Sequence, residues 1–418
     1  MKKSSLYLLT AFMLTFLLGL LLFNSIQLSD WNTQSSNEHK KEIVFAHWAY
    51  FPEEIFDKFN DEYPDLTVDY QHYNAAGYND IIQQKMMMGE KLDVIGVMNH
   101  ELSQYIAQNW LLDIGGESFI QEYNPQLIDS LKQATGGKVY TVAYKAEYFG
   151  IWYNKILFDK YNIDVPKTYR DFVSLCAVLK RNDINPIVLG ARDEDVASYV
   201  YYLRIFDAID SEFELLSYQY GDSRFSDTAA VTLFDDTQYL IDQGYISPDS
   251  VNLTYQQAFD YFKNAKAAML IAPDASFNMA RDDFEKVCDP GVFAIPYSNS
   301  PQQMKTPVDD REMMIGISKN SGSAEEARLF LDFLSRPDIV KMYGEQTVSY
   351  PTVLNVDTSY LKYNKLWEPI RSLPKQTDPF AGLSTEDADN LNALAKKFIA
   401  RIINARQLAY SFDTIISN

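Results

Sequence analysis

The stretch GKVYTVAYKAEYFGIWYNKILFDKYNIDVPKTYRDF, residues 137–172, decides the fold. Behind the Gly136–Gly137 turn, KVYTVAY opens an extended run that leads into KAEYFGIWYNK (145–155). One acid, Glu147, heads a segment holding Tyr148, Phe149, Trp152 and Tyr153. Three readings are open to it: a catalytic acid, a solvated strand end, or one wall of a site whose other walls are aromatic. Thr168 then begins a helix with Asp171 three residues on, a capping-box pattern, and Phe172, Leu175, Cys176 and Leu179 fall at helical spacing.

Upstream, EIVFAHW (42–48) reads as a buried strand, and Pro52 opens a helix on which Ile55, Phe56, Phe59 and Tyr63 share a face. LTVDYQHY (66–73) alternates as a strand, a helix follows from Gly77, and LDVIGVM (92–98) is another strand with a helix after it. Strand–helix alternation of this kind is the pattern of an α/β lobe with a largely parallel sheet. Downstream come the strand PIVLG (186–190), the tyrosine-rich helical SYVYYLRIF, a helix over 235–244, a helix-to-strand run over 258–272 and the strand GVFAIPY (291–297). Ser323 and Glu326 form a second capping-box pattern, and a long helix from about Ser384 carries Leu391, Leu394, Phe398 and Ile402.

At 418 residues the chain exceeds what one hydrophobic core holds, so two lobes are expected. Its net charge of -20 opposes nucleic acid and anionic membrane surfaces and favours a neutral or cationic ligand. Only two cysteines occur, Cys176 and Cys288, which excludes cysteine metal clusters and implies no disulfide framework. His39, His47, His72 and His100 lack metal-ligand spacing, so no metal and no cofactor is expected. Lys2 and Lys3 precede the uncharged run LYLLTAFMLTFLLGLLLF (6–23), the mark of an export signal or a retained anchor, with the lysines inside. Residues 1–24 are read as that signal or anchor and 25–41 as a polar tether; the absence of a cysteine after the run excludes a lipoprotein.

Taken in order, these segments resemble the extracellular solute-binding proteins that deliver sugars to ABC importers, the group containing maltose-binding protein. The resemblance is carried by PEEIFDKFNDEYPDLTV, by LDVIGVMNHELSQYIAQNWLLDI with Leu92 where the family has proline, and above all by residues 137–172. There the family pattern is a Gly-Lys turn, an extended run, Tyr-Asn-Lys, a Phe, and Pro-Lys-Thr before a capped helix. GYISPDS, FKNAKAAMLIA, AIPY, IGISKNSGSAEEARLFLDFLS and YPT extend it to about residue 355. It implies an α/β, two-lobed periplasmic-binding-protein-like fold of type II, each lobe a mostly parallel sheet with flanking helices. The implied N-lobe is 43–147 plus 299–343 and the C-lobe 148–298 plus 346–418, with a hinge between them closing on ligand.

The resemblance further implies a monomer on the outer face of the cytoplasmic membrane, handing a mono- or oligosaccharide to ABC permease subunits. A sensor beside a membrane histidine kinase is the alternative use of the same fold. A sugar presents C–H faces that pack on rings and hydroxyls that need acceptors, so aromatics and carboxylates are the expected walls. Glu147, six residues before Tyr153, stands where related proteins carry a sugar-contacting glutamate. Trp48 and the weaker Tyr50 follow the first strand, and Asn99 and His100 follow LDVIGVM, at strand C-termini where α/β folds place ligands. Val97 replaces the family's Trp there, which argues against maltose itself. Asp274 and Phe277 stand in for the family's second-lobe platform, Tyr201 or Tyr202 adds a ring, and Arg311 with Glu312 returns to the cleft. No nucleophile or nucleotide motif occurs, so no catalytic residues and no enzyme are expected.

Overall fold

The computed structural model describes residues 40–75, 77–193, 196–207, 209, 218, 223–278, 288–311, 313–377, 380 and 383–416. The segment 1–24 and the tether up to residue 39 lie outside the described residues, and Lys41 already belongs to the first strand. Among the described residues no helix is long and apolar enough to cross a membrane.

The first lobe is built on a sheet of β1 (Lys41–His47), β2 (Leu66–His72), β3 (Val94–Val97), β4 (Thr141–Ala143) and β10 (Met314–Ile317), in the order β2-β1-β3-β10-β4. β2, β1 and β3 run parallel, with Lys41 beside Leu66 and His47 beside His72, while β10 returns antiparallel between β3 and β4. The apolar run of β1 is buried on both faces, as a strand covered by helices on either side requires. Phe45 is central: Phe51, Phe56, Tyr70 and Phe330 ring it at centroid distances of 5.1 to 6.4 Å. The helices Glu53–Glu62 and Ala324–Leu334 meet there, Phe59 packing edge-on against Phe330 and Phe333.

The second sheet has the order β12-β9-β5-β7-β6, with β8 and β11 also pairing on β5. Its strands are β5 (Lys145–Asn154), β6 (Asn185–Val188), β7 (Ala267–Pro273), β8 (Pro290–Phe293), β9 (Thr306–Asp309), β11 (Tyr350–Pro351) and β12 (Lys375–Thr377). β5 is the hub. Its first half takes β11 at Lys145 and Ala146 and β9 at Glu147 and Tyr148; its second half takes β7 and β8. Both sheets are therefore mixed. Successive residues of a strand point to opposite faces. Phe149, Ile151 and Tyr153 accordingly enter a core with Phe172, Phe206 and Phe412, while Tyr148 and Trp152 enter another with Phe262 and Trp367.

Core packing locates the crossings between lobes. Residues up to Tyr144, and again Met313 to Tyr343 with Val353, share the core of the first lobe, whereas from Ala146 the chain enters the two cores of the second lobe, on one of which Tyr350 also packs. The strand Thr306–Asp309 pairs with β5 and β12 and buries Val308 in a core of the second lobe, so the chain returns to the first lobe at 310–313, later than the 298 expected from sequence. The last crossing also comes later than 343–346. Thr352 still donates its hydroxyl to the Ala143 carbonyl at 2.5 Å, and Tyr363 and Trp367 pack in the second lobe.

Candidate functional site

Strand directions alone bring two edges together. β4 parallels β3, because both run antiparallel to β10, so the C-terminal ends of β1, β2, β3 and β4 lie on one edge of the first sheet. β4 leaves that edge directly into β5 across Tyr144. β7 runs antiparallel to β5 and β6 parallel to β7, so the C-terminal ends of β6 and β7 face the same crossing. Open α/β sheets bind ligands outside the carboxyl ends of their strands, and here two such edges meet across the hinge.

On the first edge Trp48 follows β1, half-buried, with its ring stacked on His47 at 4.2 Å and against the edge of Tyr78 at 5.0 Å. The His72 ring nitrogen Nε2 lies 3.0 Å from the Trp48 carbonyl oxygen, to which it donates. Tyr50 is 56% exposed, its ring edge-on to His72 at 6.4 Å, while its neighbour Phe51 is fully buried against Phe45 and Tyr343. Asn99 and His100 sit half-buried in the 3-10 turn Asn99–Glu101 that follows β3. His100 Nε2 is 3.4 Å from Glu101 Oε1; burial lowers the imidazole pKa while Glu101 opposes the shift. Glu101 also accepts from Gln83 Nε2 at 3.1 Å.

At the second edge Glu147, the third residue of β5, lies opposite Asp309, half-buried and paired with Lys145 Nζ at 3.2 Å. The strand period puts Glu147 on the face of Phe149, whose ring meets Tyr199 and Tyr202, each at 5.2 Å. Tyr199 and Tyr202 are stacked on each other at 5.5 Å, and the half-buried Tyr199 is the outer of the two. Tyr201 turns inward, donating its hydroxyl to the Leu391 carbonyl.

Asp274 follows β7 and is buried. It accepts the Tyr148 N–H at 3.3 Å and a guanidinium N–H of Arg371 at 2.9 Å, and its own N–H goes to the Tyr148 carbonyl. Burial pushes its carboxyl up to about 7, the Glu147 charge adds to this, and Arg371 and the Tyr148 N–H pull the other way. Asp274 thus serves the joint between strands, on the strand face opposite Glu147. Phe277 lies in the short helix Ala275–Asn278, but its side chain falls outside the described residues, as does Glu312. Arg311 is buried at the second crossing, its N–H donated to Asp309 Oδ1 at 3.1 Å, and burial draws its guanidinium down to about 10.

The structure therefore gathers Trp48, Tyr50, Asn99 and His100 along one edge, and Glu147 across the crossing from them. Arg371 and Tyr350 went unread in the sequence. Arg371 lies 4.0 Å over the Tyr350 ring of β11, and its acid partner is 97 residues away. Tyr199 carried a signal, the tyrosine cluster 199–202, but periodicity did not say which ring faces out. Among the described residues no group of three or more His, Cys, Asp or Glu side chains could hold a metal ion.

Comparison with known proteins agrees with this architecture. A multiple sugar-binding protein of Streptococcus mutans serotype c is 21% identical over 341 residues, 78% of this chain and 79% of the relative. A binding protein of Bacillus subtilis subsp. subtilis strain 168, solved in an open conformation, superposes with a TM-score of 0.77 at 17% identity, covering 90% of this chain and 97% of that one. A sugar transporter from Bacillus licheniformis in complex with stachyose gives a TM-score of 0.67 at 16% identity, over 90% and 98% of the two chains. The family model described as bacterial extracellular solute-binding protein matches residues 48–341. With that match over most of the chain, and the same two-lobed fold beneath it, this protein belongs to the bacterial extracellular solute-binding protein family and is a binding protein, not an enzyme.

Proposed function

We propose that the chain captures a mono- or oligosaccharide between its lobes and delivers it, unchanged, to the permease subunits of an ABC importer. The observation that carries this reading is the meeting of two strand edges, one bearing the half-exposed ring of Trp48 and the other the Glu147 carboxylate beside Tyr199. A ring platform and a charged acceptor are what a sugar's C–H face and hydroxyls require. The S. mutans relative is named a multiple sugar-binding protein and the B. licheniformis neighbour is a sugar transporter with stachyose bound. Those names favour delivery over the sensing role. Tyr50, Asn99 and His100 complete the first wall in this reading, while Asp274 and Arg311 hold the joint. The apolar run 6–23 exports the protein, as a retained anchor at the outer face of the membrane or as a cleaved signal.

Calorimetry of the full chain against glucose, raffinose and stachyose, with product analysis of each mixture, tests the substrate class. We expect binding without turnover, and Glu147→Ala and Trp48→Ala each to weaken it about tenfold or more, the loss of one charged hydrogen bond or one stacked ring. Binding of a polyamine or peptide with no affinity for any saccharide would overturn the assignment, as would wild-type affinity in both variants. Intact mass of the natively exported protein, short of residues 1–24 or not, decides the anchor.

A further inference from the structure

Trp48 does not stand on a flexible loop; three groups behind it fix the ring. His47, the last residue of β1, is fully buried and lies flat beneath the indole, with centroids 4.2 Å apart and planes within 22°. Its Nδ1 accepts the Ala49 N–H at 2.8 Å, which leaves the imidazole proton on Nε2 and ties the chain beyond Trp48 back to the strand end. Burial, with His72 adding to it, holds the imidazole pKa down to about 3, so the support is a neutral ring. Tyr78 braces the indole edge at 5.0 Å and 61°. Its hydroxyl is shared between the carbonyl oxygens of Ala46 and Gly96, each at 3.0 Å, so the brace is anchored to β1 and β3 together.

Gly96 supplies the room. A Cβ at this position would stand 2.6 Å from His47 Cδ2, 2.6 Å from Trp48 Cζ3 and 2.9 Å from His47 Nε2. Gly96 is not among the glycines with positive φ, so close approach and not backbone conformation accounts for it. It cannot retreat, because it pairs with Ile315 of β10 in the middle of the sheet. A methyl group there would lift the stack by about 1 Å before carbon contacts returned to ordinary distances.

We infer that Gly96 and His47 are positioning residues for the solute: they set the depth and tilt at which Trp48 presents its uncovered face to the cleft. The inference rests on the reading that Trp48 stacks on the ligand. It makes the platform a rigid feature of the sheet edge, with the geometry of the stacked sugar written two residues into β3.

The test uses the full chain labelled with 5-fluorotryptophan and followed by fluorine NMR, with Trp48→Phe assigning the Trp48 line. In the unliganded protein, Gly96→Ala and His47→Ala should each shift the Trp48 line and leave those of Trp110, Trp152 and Trp367 unmoved. His47→Phe, which keeps a flat ring beneath the indole, should return the line toward its wild-type position. Stachyose affinity by calorimetry should fall about tenfold in Gly96→Ala and His47→Ala and recover in His47→Phe. The His47 series decides the matter if Gly96→Ala does not fold. An unmoved Trp48 line in the folded variants overturns the positioning role, and so does a shifted line with unchanged affinity. Wild-type affinity in Trp48→Ala, or no saccharide binding by the wild type, instead sinks the stacking reading, and the positioning role for the solute falls with it.

Discussion

Arg371 shows how one side chain serves several elements at once. Its guanidinium pairs with Asp274 at 2.9 Å, donates to the Asn364 carbonyl at 2.9 Å and lies 4.0 Å over Tyr350. Asp274 in turn is bonded in both directions to the backbone of Tyr148 in β5. Two buried charges are held by each other, and removing one strands its partner at a cost of about 3–5 kcal/mol. The penalty should depend on pH. Burial raises the folded-state pKa of Asp274 to about 7, above its unfolded value, so the stability it contributes is full below about pH 4 and is lost as pH rises through about 7. Arg371→Ala should therefore cost about 3 kcal/mol or more at pH 8, where the wild-type carboxylate is ionised against Arg371 and the variant must either bury it unpaired or protonate it, and clearly less at pH 5, where it is protonated with or without the cation. Urea denaturation at the two pH values decides this; equal penalties would mean that Asp274 does not titrate in the folded protein.

Helix ends show where local pattern and tertiary context part. Thr168 caps its helix as the spacing predicts, its hydroxyl accepting the Asp171 N–H at 3.1 Å. Ser323 and Glu326 present the same pattern but form no cap. Ser323 is buried and gives its N–H to Ser321 Oγ at 3.0 Å, while Glu326 is drawn to Lys41 Nζ at 2.7 Å, at the start of β1. Thr168→Ala should cost about 1 kcal/mol and Ser323→Ala well under half of that, read from chemical denaturation midpoints. An equal loss at both would show that the Ser323 hydroxyl is used after all. The expected long terminal helix likewise divides. It stops at Ile399, Arg401 adopts a φ of 59°, and Ala405–Ile416 folds back to place Phe412 against Tyr201 and Phe234. Ile402, expected on the apolar stripe, ends 70% exposed at that turn.

For the molecule as a whole, the crossings at 144–146, 310–313 and 353–363 make the joint, and β5 braces it by pairing with β9 and β11. The core of the first lobe is separate from the two of the second, so the lobes are free to close as bodies about these segments. Closure on a saccharide would bring the Trp48 edge toward Glu147. Small-angle scattering of the full chain should show a smaller radius of gyration with saturating stachyose than without. No change on addition of a ligand that calorimetry shows to be bound would rule out hinge closure. The net charge of -20 fits this division of labour, since a neutral sugar is not repelled and anionic polymers are kept away.

Much of this was legible in the sequence because it depends on local order. Strand–helix alternation, the caps and the Tyr-Asn-Lys segment near 153 reflect periodicity and short-range hydrogen bonding, and they were enough for the α/β lobes and for Trp48 and Glu147 at strand ends. Strand alternation puts Glu147, near the start of β5, on the Phe149 face, a property of spacing alone, and in the proposed function that face forms part of the cleft wall. The tertiary structure decided what depends on partners far apart in the chain. Asp274 is committed to Arg371 across 97 residues, β9 pairs into the second sheet and delays the crossing to 310–313, and Gly96 makes room for the His47–Trp48 stack from a neighbouring strand. These outcomes turn on burial and close contact between distant segments, and no window of adjacent residues contains both sides of such a contact.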